Sequence, residues 1–440
     1  MSLIASISDY WRRLQGCLFP EMAETIGPLG ERHERFIAVL GLISIEAFLA
    51  YPHGMVGRPP AERVALARAF LAKAIFNFPT TRILLDWLAG DRALRRLCGW
   101  EKARDVPSEA TFSRAFAEFA ESGLPARIHE ALIAATYRDR MVGHISRDST
   151  AIEGREKPES RSKTEAATLA PEPTTLERAA DRQQKAPSPP EPAVLPKTAV
   201  APGNEDVVAA GSSVAAPAKR KRGRPRKHPA PETEASPPDR RLVRQGSMTL
   251  CEMLADLPKD CDVGAKRNAK GHSEHWTGYK LHLDVADGDI SVSFILTSAS
   301  LHDSQAAIPL MTLTSDRVVY FYDLMDSAYD ALQIYDASRK LNHVPIIERN
   351  PRRDAELRQQ IADDEKARKR LSFPMPEELR YNQRSSAERF NGNIKDNCGA
   401  RSIRVRGHAK VLCHLGFGIL GIAATQIIRM LTPPEAAAPA

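Results

Sequence analysis

Three features of this 440-residue sequence predict a mixed α/β sheet domain, preceded by an all-α N-terminal domain and interrupted by a long disordered insert. Residues 1–140 carry apolar residues at helical spacing, whereas residues 144–154 and 275–348 alternate short apolar runs with amphipathic ones, as strands and helices do in turn. Between these regions, residues 155–245 turn to Pro, Ala, Glu, Ser and Lys with almost no aromatics. The limits drawn from these shifts are 1–140 for the helical domain, 141–154 for a first strand, 155–245 for the insert, 246–432 for the rest of the sheet domain and 433–440 for a disordered tail.

In the helical domain the stretches "RFIAVLGLISIEAFLAY" and "ERVALARAFLAKAIFNF" repeat apolar residues every three or four positions, and "PSEATFSRAFAEFAESG" opens on Pro107 with Ser108 as its cap. Arg82, Arg92, Arg95, Arg96 and Arg104 give this region a basic side, suited either to DNA contact or to plain solvation. The first twenty residues include an acid and Trp-Arg-Arg before any long apolar run, so no secretory signal is expected. A net charge of +7 and a pI near 9.1 lean toward a polyanionic partner. Six scattered cysteines without Cys-x-x-Cys pairs fit a reduced, cytoplasmic chain and no zinc site.

The insert cannot bury enough apolar area to fold alone. Within it, "KRKRGRPRKHP" (Lys219 to Pro229) sets Gly223, Arg224 and Pro225 between basic residues. Such a slim Arg-Pro-Arg segment suits a narrow A·T-rich minor groove, where the potential is most negative, and the tract resembles an AT-hook with Arg222, Arg224 and Arg226 as its DNA contacts. A generic basic tract binding phosphates is the alternative.

After the insert, "HWTGYKLHLDVAD" and "DISVSFILTSAS" read as strands joined by a tight turn at Asp287, Gly288 and Asp289. "HDSQAAIPLMTLT" reads as a short helix, "RVVYFYDLMD" as a buried strand, "AYDALQIYDASRKLN" as a helix and "HVPIIERN" as a strand. With "HISRDSTAIEG" upstream, the expected order is strand, insert, strand, strand, helix, strand, helix, strand, helix. Near the end, "LGFGILGIAATQIIRML" is apolar enough for a membrane, but Gln426 and Arg429 interrupt it and its three glycines suit close helix packing, so a buried core helix is expected.

The last helix holds the stretch "YNQRSSAERFNGNIK" (381–395). At about 100° per residue, Tyr381, Arg384, Glu388 and Lys395 fall within roughly a 60° arc. Ala387, Phe390 and Ile394 lie on the other side, and Ser385 with Glu388 makes a capping box. Two further acids stand at strand positions. Asp148, inside the first strand beside Arg147, is costly to bury unless it is paired or binds a cation, and Asp326 ends the fourth expected strand, where α/β sheets place ligands. Three converging carboxylates suit the hard ions Mg2+ or Mn2+, and two such ions serve in-line phosphoryl displacement. Asp326 with Ser327 could equally cap a turn. Asp303 and Asp323 stay open as the middle acid, although Asp303 opens a helix and can serve as its cap.

The pattern Tyr381, two residues, Arg384, three residues, Glu388, six residues, Lys395 resembles the signature of bacterial insertion-sequence transposases of the IS4 type, within the DDE transposases. "RDST", "GYKLHLDVADGDI", "SLHDSQAAIPLM", "YDLMDSAYDA" and "RVRGHAKVLCHLGFGILGIAATQI" are similar to the same group, over about 140–155 and 245–430. The resemblance implies a ribonuclease-H-like fold and a metal-binding catalytic triad of Asp148, Asp326 and Glu388. It also implies metal-dependent cleavage at the ends of a mobile element, followed by strand transfer. Tyr381, Arg384 and Lys395 would then contact DNA, as would "RVRGHAK" and "RNPRR", and a homodimer or larger assembly on bacterial DNA is expected, with no membrane. The competing readings are a nuclease that cuts without joining and a DNA-binding protein with a dead centre.

Overall fold

The computed structural model describes residues 29–49, 61–158, 240–267, 272–352, 354–371 and 373–432. Their N-terminal part is helical: α1 (Glu31–Leu42), α2 (Arg63–Ile75), α3 (Thr81–Gly90), α4 (Arg92–Cys98), α5 (Glu109–Glu121) and α6 (Leu124–Tyr137). Ser108 stands at the start of α5 as expected, but its hydroxyl faces Thr111 and caps no backbone N–H. Side chains do cap α3 and α4, through Thr80 and Asp91.

A sheet follows, built from β1 (Val142–Glu153), β2 (Asp262–Arg267), β3 (Ser273–Ala286), β4 (Ile290–Ser298), β5 (Tyr320–Met325) and β6 (Val344–Ile347). β1 pairs antiparallel with β3, β3 with β4, and β5 runs parallel to both β1 and β6. The resulting order, β4-β3-β1-β5-β6, is the mixed sheet expected for a ribonuclease-H-like domain. β2 was not foreseen in the sequence; it pairs with the first part of β3, residues 273–278. Its run "DVGAKR" is short and polar, so it carries no strand-length apolar pattern, and it shifts the strand ended by Asp326 from fourth to fifth. At the join, Gly278 has φ +148, and a Cβ there would meet the backbone of Ile152 and Gly154 at 2.3 Å.

The helices of this part are α7 (Arg241–Gln245), α8 (Leu250–Asp256), α9 (Ser304–Ser315), α10 (Leu332–Lys340), α11 (Ala355–Arg368), α12 (Pro376–Tyr381), α13 (Ser385–Asn397) and α14 (His408–Leu431). Residues 155–158 and 240–245, assigned to the insert by composition, are ordered, and α7 starts at Arg241 because Arg241 and Arg244 both pair with Asp256 of α8. α11 was also missed: it buries no residue, so no apolar stripe announced it. The tract at 219–229, and with it Arg222, Arg224 and Arg226, lies outside the described residues, as does the tail at 433–440.

The helical region is not a separate domain with its own core, contrary to the sequence expectation. One apolar cluster joins Phe36, Phe70, Phe112 and Phe119 to Val142 and Ile145 of β1, Val292 of β4, and Phe417, Leu420 and Ile427 of α14. α14 is long and apolar enough to cross a membrane, but 72% of its most apolar stretch is buried in the protein. Its expected close packing is observed, since a Cβ on Gly416, Gly418 or Gly421 would come within 3.0–3.2 Å of Pro125, Cys398 or Ile75. Each large apolar side chain it buries contributes roughly 1.5–3 kcal/mol.

Beneath the sheet lies a charged cluster. Arg147 of β1 is 1% exposed and donates to Asp284 of β3 at 2.7 Å and Asp323 of β5 at 3.3 Å, both fully buried. Thr314 donates to Asp284, while Tyr320 and Ser338 donate to Asp323. Burial opposes the charge on Asp323, but Arg147, His343 and Ser338 outweigh it and hold the carboxyl below its usual range. Arg147→Met would leave two buried acids without their counter-charge, and urea unfolding of that variant is expected to show a loss of about 3–5 kcal/mol.

His129 of α6 is also fully buried, and its Nε2 donates to the Ser291 carbonyl at 2.9 Å. Burial, with a smaller push from Arg317, lowers its pKa to about 3, so the folded chain holds it neutral. Between pH 6.5 and that value the unfolded chain binds the extra proton, and stability is lost as pH falls. From this group alone the loss is about 1.4 kcal/mol per pH unit, so His129→Gln is expected to give a flatter dependence of unfolding free energy on pH below 6.5 than the parent chain.

Candidate active site

Side chains alternate across a strand, so Asp148 points to the opposite face from its neighbour Arg147. Arg147 therefore does not supply the pairing that a buried Asp148 calls for. Instead Asn391 of α13 donates to Asp148 Oδ2 at 3.0 Å, and α13 is latched to β1 by a 2.9 Å bond between the Ser386 and Ser146 hydroxyls. Burial pushes the Asp148 carboxyl up to about 6, and the charge of Asp326 adds to this; the Ser149 backbone N–H, Arg384 and Lys266 pull the other way.

Asp326 stands one residue past β5 and caps a 3-10 turn at Ser327–Tyr329, accepting the Ala328 N–H at 3.0 Å through Oδ1. The capping alternative is thus a real interaction, but it occupies only one carboxylate oxygen. Burial also raises this acid's pKa, and nearby Asp303 and Glu348 add to the effect. Asp323 is sealed under the sheet by Arg147, which removes it as a candidate. Asp303 stands at the N-cap of α9 but caps no backbone N–H; its carboxylate pairs with Lys280 Nζ at 2.9 Å, near Ser149, and both of these side chains lie on the Arg147 face of the sheet, opposite Asp148.

The stripe at 381–395 is not one unbroken α-helix. Tyr381 ends α12, Arg384 belongs to a 3-10 turn at Asn382–Arg384, and Glu388 and Lys395 lie on α13. The backbone stays right-handed helical through this turn, and Tyr381 remains beside Arg384. No capping box forms either. Ser385 is already helical and accepts from Arg389, while Glu388 accepts from Arg384 Nη2 at 2.7 Å.

Arg384 is the hub of the site. Burial works against its charge, but Tyr381, Glu388, Asp148 and Asp326 together outweigh that and raise its pKa. Tyr381 donates its hydroxyl to Glu348 at 3.1 Å and lies beside the Arg384 guanidinium, 5.7 Å from ring centre to charge. Lys395 is half-buried; burial, Arg401 and Lys266 lower its pKa, and Asp148 and Glu153 resist. Lys266, Asn391 and Glu348 were not picked out in the sequence. Lys266 sits on the unrecognised β2, and Asn391, three positions past Glu388, was detectable only as a polar residue next to the buried face of α13.

The acids offer only oxygen donors, which suits Mg2+ or Mn2+. Among the described residues, however, no three His, Cys, Asp or Glu side chains stand close enough to hold a metal ion. Glu388, 56% exposed, is turned to Arg384. Outside this centre, Arg95 is buried and donates to the Leu88 and Ala89 carbonyls at the end of α3, which makes it a structural cap and not a DNA contact. Arg96 pairs with Glu101, while Arg82, Arg92 and Arg104 remain exposed. Arg352 of "RNPRR" bonds the Asp330 carbonyl, and Arg404, Arg406 and Lys410 of "RVRGHAK" are exposed.

Residues 247–422 match the family described as transposase DDE domain, and residues 28–118 match a transposase domain (DUF772). No curated protein and no solved structure gives a significant match. Strands β2 to β6 with Asp303, Asp326 and Glu388 fall inside the first match, α1 to α4 and most of α5 inside the second, and α6 and β1 with Asp148 lie between them. On the two matches together, the chain carries a transposase DDE domain preceded by a transposase (DUF772) domain, and these support transposase function.

Proposed function

We propose that Asp148, Asp326 and Glu388 are the catalytic triad of a transposase of the IS4 type, which cuts DNA at the ends of an insertion sequence and joins the freed 3′-hydroxyl to target DNA. The observation that carries this is the position of Arg384: one guanidinium bonded to Glu388 also feels the charge of Asp148 and Asp326. Three acids from β1, the end of β5 and α13 thus share one cationic environment, although they are far apart in the chain. The complete Tyr-Arg-Glu-Lys spacing supports the IS4 assignment.

Mg2+ or Mn2+, as a pair of ions on the three acids, would supply the positive charge that in-line phosphoryl transfer needs. The chain's own groups do the rest. The raised pKa of Asp148 marks a carboxylate short of counter-charge, held in place by Asn391. When Glu388 turns to the acids, Arg384 is released to hold a phosphate, and Lys395 and Lys266 flank the same face. Tyr381 offers a ring and a hydroxyl to a nucleotide displaced near the cut. Joining two ends calls for at least a homodimer, acting in the cytoplasm on nucleoid DNA. No observation favours the nuclease-only or binding-only readings.

Glu388→Gln keeps shape and removes one charge, so Mg2+-dependent cleavage of an end-bearing duplex is expected to fall by at least about 10²-fold, with duplex binding in gel shifts within a few-fold of the parent. Equal cleavage by both proteins would remove Glu388 from the triad. Asp148→Asn has the opposite sign for stability. An acid whose folded pKa lies near 6 costs stability above that pH and nothing below its unfolded value near 4. The metal-free variant is therefore expected to be more stable than the parent at pH 7.5, by up to about 3 kcal/mol, with the gap closing toward pH 4 and cleavage lost. Thermal unfolding across that pH range checks it.

A further inference from the structure

A groove of about 490 Å3 lies between the helical region and the sheet domain, away from the carboxylates. Arg32 and Arg35 of α1 and Arg429 of α14 line it, together with Asn77, Asn393 and Asn397. No acid lines it. Several other surface arginines are neutralised at short range, as in Arg63 with Glu118 at 2.8 Å, Arg241 with Asp256 at 2.7 Å and Arg401 with Asp396 at 2.7 Å. The groove arginines differ. Arg32 donates to the Phe76 carbonyl and Arg429 to the Gln426 amide oxygen, while Arg35 has only an exposed Glu31 at 3.5 Å.

A second, independent observation adds to this positive field. Lys73 of α2 lies in an adjoining hollow that shares Cys398 with the groove, and it has no carboxylate partner among the described residues. Burial lowers its pKa to about 8. Among the described residues, the groove has no aromatic wall on which a base could stack, whereas its guanidinium and amide donors match phosphate oxygens.

Its position on α13 separates it from the cutting site. Asn397 is nine residues past Glu388, about 14 Å along the helix and half a turn around it. Lys395, by contrast, returns to the Glu388 side. A backbone held at the acids is therefore not the stretch held in the groove: Asn393 and Asn397 stand about 7.5 and 14 Å along α13 from Glu388, which at 3.4 Å per base pair separates the two by roughly two to four base pairs.

We propose that the groove lined by Arg32, Arg35 and Arg429 is a second phosphodiester-binding site, which grips the backbone of duplex DNA outside the position being cut. This rests on the reading of the chain as a DNA-cutting transposase, and it predicts sequence-independent affinity.

The test uses the full chain carrying Arg32→Glu, Arg35→Glu and Arg429→Glu together, with an end-bearing duplex and an unrelated duplex of equal length as probes. Affinity for both is expected to fall at least about tenfold at 0.1 M salt, and the slope of log affinity against log salt to shrink by up to about 0.9 per lost phosphate contact. Should the triple variant fail to fold by circular dichroism, Asn397→Asp, an exposed position on the groove, is expected to weaken both duplexes about threefold or more. Wild-type affinity and slope in the folded variant would overturn the proposal. Millimolar inorganic phosphate that stabilises the parent and not the variant, with equal DNA affinity in both, would also overturn it and assign the groove to a free anion. Cleavage by the parent, and its loss in Glu388→Gln, are read on the same preparations. If the parent neither binds nor cuts DNA, both readings fall; if it does both and the groove variant binds equally well, only the groove assignment falls.

Discussion

The ion cluster under the sheet is the constraint on which the rest of this structure depends. Arg147, Asp284 and Asp323 come from the three adjacent strands β1, β3 and β5, and none of the three can be buried alone at tolerable cost. Pairing them specifies which strands are neighbours, and the register follows, with Arg147 opposite Asp284 in the β1–β3 ladder. Strand alternation then decides the site. With Arg147 turned below, Asp148 must face above, and a slip of one residue would bury it in the cluster and expose Arg147.

A second consequence concerns the helices. α14 fills the space between the helical region and the sheet, and its glycines let α2, α6 and α13 approach closely. α13 therefore has little freedom: its apolar face packs on β1 and β3 through Ala387, Phe390 and Ile394, and the Ser146–Ser386 bond sets its height. Rigid support of this kind is what a phosphoryl-transfer site needs, since catalysis there rests on positioning and charge. The same packing leaves the basic groove at the seam between the two regions, on the far side of α13 from the acids.

Legibility in the sequence followed burial and periodicity. β3 and β4 were readable because Asp287, Gly288 and Asp289 make an unmistakable turn between two apolar runs, and the turn has Gly288 and Asp289 at positive φ. α14 was readable because an apolar stretch broken by Gln426 and Arg429 packs better in a core than in lipid. β2 and α11 were not, because one is only six residues long with no apolar run and the other buries nothing. The expected capping box at Ser385 shows the limit of a local rule: Glu388 had a better partner in Arg384, and the chain before Ser385 was already helical.

By itself the sequence determined the order of the sheet's strands other than β2, the apolar back of α13 and the residue types at Asp148, Asp326 and Glu388, because these depend on local patterning and on the chemistry of single side chains. Only the tertiary structure decided that Asp323 is a buried counter-ion, that Asp303 is held by Lys280, and that the helical region shares one core with the sheet. Each of these is a pairing between residues remote in the chain. Such pairings are chosen by which charges can be buried together, and no window of sequence contains both partners.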